Sequence, residues 1–287
     1  MPSFKHILFP VDFSEQNSGI APYVQCMARR YGARVTMLHA VETPVVGYMD
    51  APVYSAMDFA GMMDDGKQRV GSFLRDEFQD IPTTRLALEG DPSWRITEYA
   101  DREKVDLIMM PTHGYGPFRR FLLGSVTAKV LHDVKCPVWT SVHKPEKPAP
   151  PAGYRNVLCA VDVWSDTLPL LRWASLFACE QGATLKLLHA IPAIKIPGAL
   201  GPEDGRFQTS LFDMARQELR KLQQQAGTSL EIVVEGGEVA HVVHRVAEAS
   251  RCDLVVIGRG VIHELFGRMR TNVYSIIRDA PCPVISV

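Results

Sequence analysis

The chain repeats itself, and no other feature limits its possible folds as tightly. Phe4–Asp12 (FKHILFPVD) returns 150 positions later as Tyr154–Asp162 (YRNVLCAVD). At the same spacing Gly32-Ala33 meets Gly182-Ala183, and Leu38-His39-Ala40 meets Leu188-His189-Ala190. The spacing then shrinks to 147 for Gly90 and Gly237 and for Asp106-Leu107 and Asp253-Leu254. It is 146 for Cys136-Pro137-Val138 and Cys282-Pro283-Val284. Small drops between matched stretches are what loop deletions leave, so the chain holds two copies of a domain of about 140 residues. Between them, His143–Gly153 (HKPEKPAPPAG) has four prolines and no large apolar side chain, the composition of a short, stiff, exposed linker. The division expected is domain 1 over 1–143, a linker over 144–153 and domain 2 over 154–287.

Each copy alternates strand and helix signals. In the first, residues 4–11 form an apolar run closed by Asp12 and Ser14, the mark of a buried strand. A helix follows over 16–31, stopped by Gly32, and then a strand over Arg34–Ala40. Apolar residues at helical spacing run from Met57 to Phe78, before a third strand over Thr83–Leu88. Gly90-Asp91-Pro92 opens the next helix, with Asp as N-cap and Pro just inside. A fourth strand over Asp106–Met110, a helix over Gly124–His132 and a last strand over Pro137–Val142 complete the copy. The second copy keeps this order. Strands alternating with helices imply the α/β class: two tandem five-stranded parallel open sheets with helices on both faces, Rossmann-like in winding.

Composition narrows the function classes. Of 287 residues, 46% are hydrophobic and 22% charged, as in ordinary globular proteins. Lys and Arg number 31 against 32 Asp and Glu, so a net charge of −1 gives no global attraction to nucleic acid or anionic membrane. No apolar run nears the ~20 residues that span a bilayer. The start, Met1–Phe9, lacks the apolar core and cleavage site of a signal peptide, and the expected location is the cytoplasm. Six cysteines without a CxxC suggest neither a zinc ribbon nor a disulfide framework.

Open parallel sheets bind ligands beyond the carboxyl ends of their strands, where the winding reverses. That points to the loops after the first and fourth strands. The fourth-strand loop of copy one, Pro111–Ser125 (PTHGYGPFRRFLLGS), carries glycines and basic residues and opens a helix at Gly124-Ser125. Backbone N–H groups and the helix dipole there favour a phosphate, and glycine lets oxygens approach the backbone. An ordinary turn that needs glycine for its dihedrals is the plain alternative. Asp12 ends a buried strand, where a carboxylate is a poor core residue but can accept hydrogen bonds or cap the next turn.

With these residues in view, the chain strongly resembles the universal stress protein family. The nucleotide signature of that family stands here as Pro111-x2-Gly114-x9-Gly124-Ser125. The continuation Val126-Thr127, the opening Phe9-Pro10-Val11-Asp12-Phe13-Ser14 and both Cys-Pro-Val endings fit as well. The resemblance covers nearly the whole chain, twice. It implies a fold similar to the adenine-nucleotide alpha hydrolases and an ATP or other adenine-nucleotide site, with Mg²⁺. The site would lie on Pro10, Val11 and Asp12, the backbone at Ala40, and Pro111, His113, Gly114, Gly124, Ser125, Val126 and Thr127. Pro111 replaces the first signature glycine and removes one N–H donor. The resemblance also implies that the two copies pair within the chain through their last strands (Thr140-Ser141-Val142 and Ile285-Ser286-Val287), as single-domain members dimerise; a homodimer of whole chains is a separate, further option.

Copy two departs further. Its loop reads Gly258–Thr271 (GRGVIHELFGRMRT), with Arg270 in the place of Gly124 and Thr271 in that of Ser125. Asp162, Ala190, Gly258, Gly260, Arg270 and Thr271 would make a second, weaker site. Gly258-x-Gly260 is no dinucleotide fingerprint, since His263 stands at the third glycine. No GxxxxGK[ST] or GxSxG occurs. His39 and His189 read as structural, and His241-x2-His244 has no third metal ligand nearby in sequence. Three functions stay open: a nucleotide-binding regulatory protein of the stress response, a slow ATP hydrolase on the same fold, and a scaffold without nucleotide.

Overall fold

The computed structural model describes residues 4–42, 56–114, 123–141, 153–163, 167–192, 202–259 and 268–287, and divides between Gly153 and Tyr154 into two compact units. The first unit holds β1 (His6–Pro10), α1 (Glu15–Tyr31), β2 (Arg34–Val41), α2 (Ala56–Ser72) and β3 (Thr83–Glu89). It continues through α3 (Pro92–Arg102), β4 (Leu107–Pro111), α4 (Ser125–Asp133) and β5 (Val138–Ser141). Its strands lie in the order β3-β2-β1-β4-β5, all parallel. The winding therefore reverses between β1 and β4.

The burial of these strands is legible residue by residue. Every residue of β1, β4 and β5 is buried, as a parallel strand covered on both faces requires. Helix α1 starts where Ser14 Oγ accepts from Asn17 N and stops at Gly32, whose φ of 59° lets its N–H reach back to Ala28 O and Arg29 O. Helix α3 starts where Asp91 accepts from Trp94 N. The Ser93 hydroxyl and then the Trp94 amide hold the Asp91 carboxyl below the usual carboxylate range.

One expectation needs correction. The apolar spacing suggested a helix to Phe78, but α2 ends at Ser72. The Ser72 hydroxyl donates to Gln68 O and Arg69 O, spending itself on last-turn carbonyls, and Leu74 takes a positive φ of 48°. Phe78 still reaches the core, through a turn.

The second unit repeats the plan with β6 (Asn156–Ala160), α5 (Leu168–Gln181), β7 (Thr184–Ile191), α6 (Pro202–Ala226) and β8 (Glu231–Gly236). After these come α7 (Val239–Ala249), β9 (Leu254–Ile257), α8 (Arg268–Asp279) and β10 (Val284–Ser286). Its order is β8-β7-β6-β9-β10, again parallel throughout. The repeat extends to single bonds. Asp106 accepts from the Lys5 and His6 amides, and Asp253 from those of Arg155 and Asn156. The α/β class and doubly wound parallel sheets expected from the sequence are what the structure has.

Candidate functional site

The reversal between β1 and β4 leaves a cleft of about 220 Å³ at the carboxyl end of the first sheet. Its base is apolar: Pro10 and Val11 from β1 and its exit, Leu38 and Ala40 from β2, Met110 and Pro111 from β4. Helix α3 supplies one wall through Pro92 and Ile96. The polar rim is Asp12, Gly114 and the first turn of α4 through Gly124, Ser125, Val126 and Thr127.

Helix α4 begins without a side-chain cap. Gly124 is its N-cap, extended at φ −62° and ψ 145°, and its own N–H goes to Thr112 O at 2.8 Å. The N–H groups of Ser125, Val126 and Thr127 find no acceptor among the described residues. Three unanswered donors at the positive end of a helix dipole form a receptor for an anion. A Cβ on Gly124 would stand 3.2 Å from Thr112 O and 3.4 Å from the Cα of His113. Glycine therefore lets the loop fold back onto the helix start.

Asp12 faces this turn. Its Oδ1 accepts from Ser14 N at 2.9 Å, and a Cβ on Gly114 would lie 2.0 Å from Oδ2. The second oxygen thus fills the space that a side chain at 114 would take. An acceptor, an apolar floor and a cluster of donors converge on one cleft, which can hold a flat apolar group at one end and an anion at the other.

Of the copy-one residues expected from the sequence, the cleft gathers all but one. The exception is His113, which is 6% exposed, sits within hydrogen-bond distance of Thr112 Oγ1 (Nδ1, 3.1 Å) and is not part of the lining. Thr127 lines the cleft, but its hydroxyl donates to Pro111 O at 3.1 Å and serves the helix–strand junction. The cleft also takes in Asn17, Leu38, His39, Pro92, Ile96 and Met110, none of which the sequence reading assigned to the site. Strand register could have found Leu38 and Met110, whereas the α3 wall depends on packing. His39 and His189 both place Nδ1 2.9 Å from a carbonyl, of Val11 and Val161, which fits the structural reading. His244 Nδ1 faces Asp279 O, and no group of three metal-ligating side chains occurs among the described residues.

In the second unit the parts differ. Thr167 Oγ1 donates to the carbonyl of Asp162, and Ala190 ends β7 much as Ala40 ends β2. Gly258 follows β9 with Leu170 close enough that a Cβ there would lie 3.2 Å from its Cδ2. Gly260 lies outside the described residues, as do 115–122, 142–152 and 261–267. Arg270 and Thr271 are not at a helix start: α8 opens at Arg268, so both lie inside its first turn. Arginine favours helix by about 1 kcal/mol over glycine, and the helix runs on through the position where Gly124 stops α4.

The family model of the universal stress proteins matches residues 3–141 and again 153–287. This chain belongs to the universal stress protein family. It is a tandem two-domain member, and two curated family members resemble one copy each in length. A universal stress protein of Methanocaldococcus jannaschii is 30% identical over 148 residues, 50% of this chain and 85% of that protein. One from Thermus aquaticus is 32% identical over 136 residues, 47% of this chain and 96% of that protein. A universal stress protein structure from Archaeoglobus fulgidus covers 100% of this universal stress protein and 97% of its own chain. Its TM-score is 0.68 at 21% identity, a likeness of fold. No helix among the described residues is long and apolar enough to cross a membrane.

Proposed function

We propose that this universal stress protein binds an adenine nucleotide in the cleft of its first unit and acts as a regulatory protein whose partners or shape depend on occupancy. The observation that carries the reading is the pairing of three N–H groups at the start of α4, unanswered among the described residues, with the Asp12 carboxylate across the cleft. The base would lie on Val11 and Ala40 against Ile96, and Asp12 would accept from a ribose hydroxyl or the base edge. The phosphates would rest on Ser125–Thr127. The cleft of about 220 Å³ lies just under the ~300–1,000 Å³ of small-molecule sites and suits the nucleoside, with the phosphates running out over the helix start. Among the described residues Asp12 is the one acidic side chain in the lining, so Mg²⁺ would ride chiefly on the phosphates. Among the described residues the cleft has no second carboxylate to orient a water, and turnover would then fall far below the ~10 s⁻¹ typical of enzymes.

The second unit would bind more weakly, because α8 covers the matching N–H groups with its own first turn. The two copies would pair through their last strands, since a short, β-rich edge invites pairing. Mass spectrometry of ligand extracted from gently purified protein, followed by calorimetry with ATP, ADP and AMP, tests the central reading. A retained adenine nucleotide and heat that saturates support it; no ligand and no heat with any of the three overturn it.

A further inference from the structure

We infer that Asn17 is a positioning residue: its side-chain amide takes the place of the strand bond that Pro111 cannot make, and by the same act fixes Asp12 for the ligand. The inference rests on the nucleotide reading above and adds to it a residue outside the family signature.

The argument starts at the end of the β1–β4 ladder. The pairs Ile7↔Leu107 and Leu8↔Ile108, carried forward, set Pro10 beside Met110 and Pro111. Neither proline has an N–H, so the ladder stops and the carbonyl of Pro10 loses its strand donor. Asn17 Nδ2 donates to that carbonyl at 3.1 Å. Its Oδ1 accepts from the backbone N of Asp12 at 2.7 Å. Asn17 is 1% exposed, on the first turn of α1, and belongs to the cleft lining. One buried amide therefore bridges the residue before and the residue after Val11, as a neighbouring strand would.

That bridge fixes a demanding turn. Phe13 adopts φ 62°, a region that a bulky side chain rarely enters, so its neighbours must hold it there. With the Asp12 backbone tied to Asn17 and Oδ1 tied to Ser14 N, only Oδ2 remains, lying against Gly114. The ligand-facing oxygen is thus set before a ligand arrives.

The second unit supports the pairing by contrast. Gly258, with an N–H, stands where Pro111 does, and Thr167 where Asn17 does. The Thr167 hydroxyl donates to the carbonyl of Asp162, where Asn17 donates to that of Pro10 and accepts from the amide of Asp12. Val163, matching Phe13, is not among the positive-φ residues.

The test uses the full chain with Asn17→Ala and, in case that variant folds poorly, Asn17→Thr, the residue of the matching position. Without ligand, hydrogen exchange at the Asp12 amide should speed at least tenfold while the amides of β2 stay protected. With ATP as the probe, the dissociation constant should rise about tenfold. In an Asp12→Ala background, Asn17→Ala should cost less than twofold more, because the carboxylate that Asn17 positions is gone. Unchanged Asp12 exchange, or the same tenfold cost with Asp12 already removed, overturns the inference. Should the unmodified chain bind no adenine nucleotide, the nucleotide reading fails, and the exchange measurement still decides whether Asn17 holds Asp12.

Discussion

Gly114 owes its identity to Asp12. An alanine there would place its Cβ 2.0 Å from Oδ2, so the carboxylate would have to swing away from the cleft. Losing one hydrogen bond to a charged group, ~1.5–3 kcal/mol, is roughly ten- to a hundredfold in affinity. Gly114→Ala should therefore weaken ATP binding by about that factor in calorimetry while the thermal midpoint of the free protein moves little; unchanged affinity would show that Oδ2 has no part in binding. His6 lies at the opposite end of the sheet. It is 3% exposed, with Nε2 2.8 Å from Thr36 Oγ1 and Nδ1 3.1 Å from an Arg34 guanidinium nitrogen. Burial first and Arg34 second push its pKa below 6.5, against smaller opposing effects of Glu103 and Asp106. The unfolded chain therefore takes up a proton that the folded one refuses, so stability falls as pH drops from about 6.5 towards the lowered value. Thermal unfolding followed between pH 7.5 and 5 should show this loss, and His6→Asn, the residue at the matching Asn156, should flatten its slope.

At the scale of elements, the two copies diverge where their last long helices begin. Gly124 is extended at the helix start, and three N–H groups there meet no acceptor among the described residues; in the second unit the helix already includes Arg270. Gly124→Arg in the first unit should draw helix backwards, and even its Cβ must displace the 112–113 turn, since contacts at 3.2 and 3.4 Å leave no room. ATP binding should drop at least a hundredfold, the loss of two or so charge-assisted bonds at ~1.5–3 kcal/mol each. Retained affinity would mean that the helix start is not the phosphate site. The sequence carried much of this. Repeat spacing and the strand–helix alternation gave the order of elements in both copies, because buried parallel strands leave long apolar runs. Glycines at 114 and 124 were legible because close approach excludes side chains. The early end of α2 was not, since Ser72 spends its hydroxyl on the backbone while the apolar spacing runs on to Phe78. Asn17 and Ile96 were hidden for another reason: their roles exist only once α1 and α3 pack beside β1, and no local pattern records that.

Across the whole molecule, duplication supplies two sheets, and side-chain changes make their strand ends unequal. Three differences point the same way. Asn17 secures the Asp12 amide, whereas Thr167 donates its hydroxyl to the Asp162 carbonyl. Phe13 holds a positive φ and Val163 does not. Helix α4 opens with N–H groups that meet no acceptor among the described residues, and α8 has covered the equivalent ones. Pro111, which the signature alone marks as a flaw of the first site, costs one donor facing strand β1, and Asn17 answers the carbonyl left behind. Affinity should therefore concentrate in the first unit. Titration of the full chain with ATP should approach one nucleotide per chain, and Asp12→Ala should weaken that binding ~10- to 100-fold while Asp162→Ala leaves it within about twofold, since distant sites behave independently. Two equal sites, or binding that survives Asp12→Ala and disappears with Asp162→Ala, would mean that the arginine-bearing helix of the second unit is the true phosphate receptor. In that case charge on a side chain, rather than an open backbone, is what this duplicated fold uses to hold its ligand.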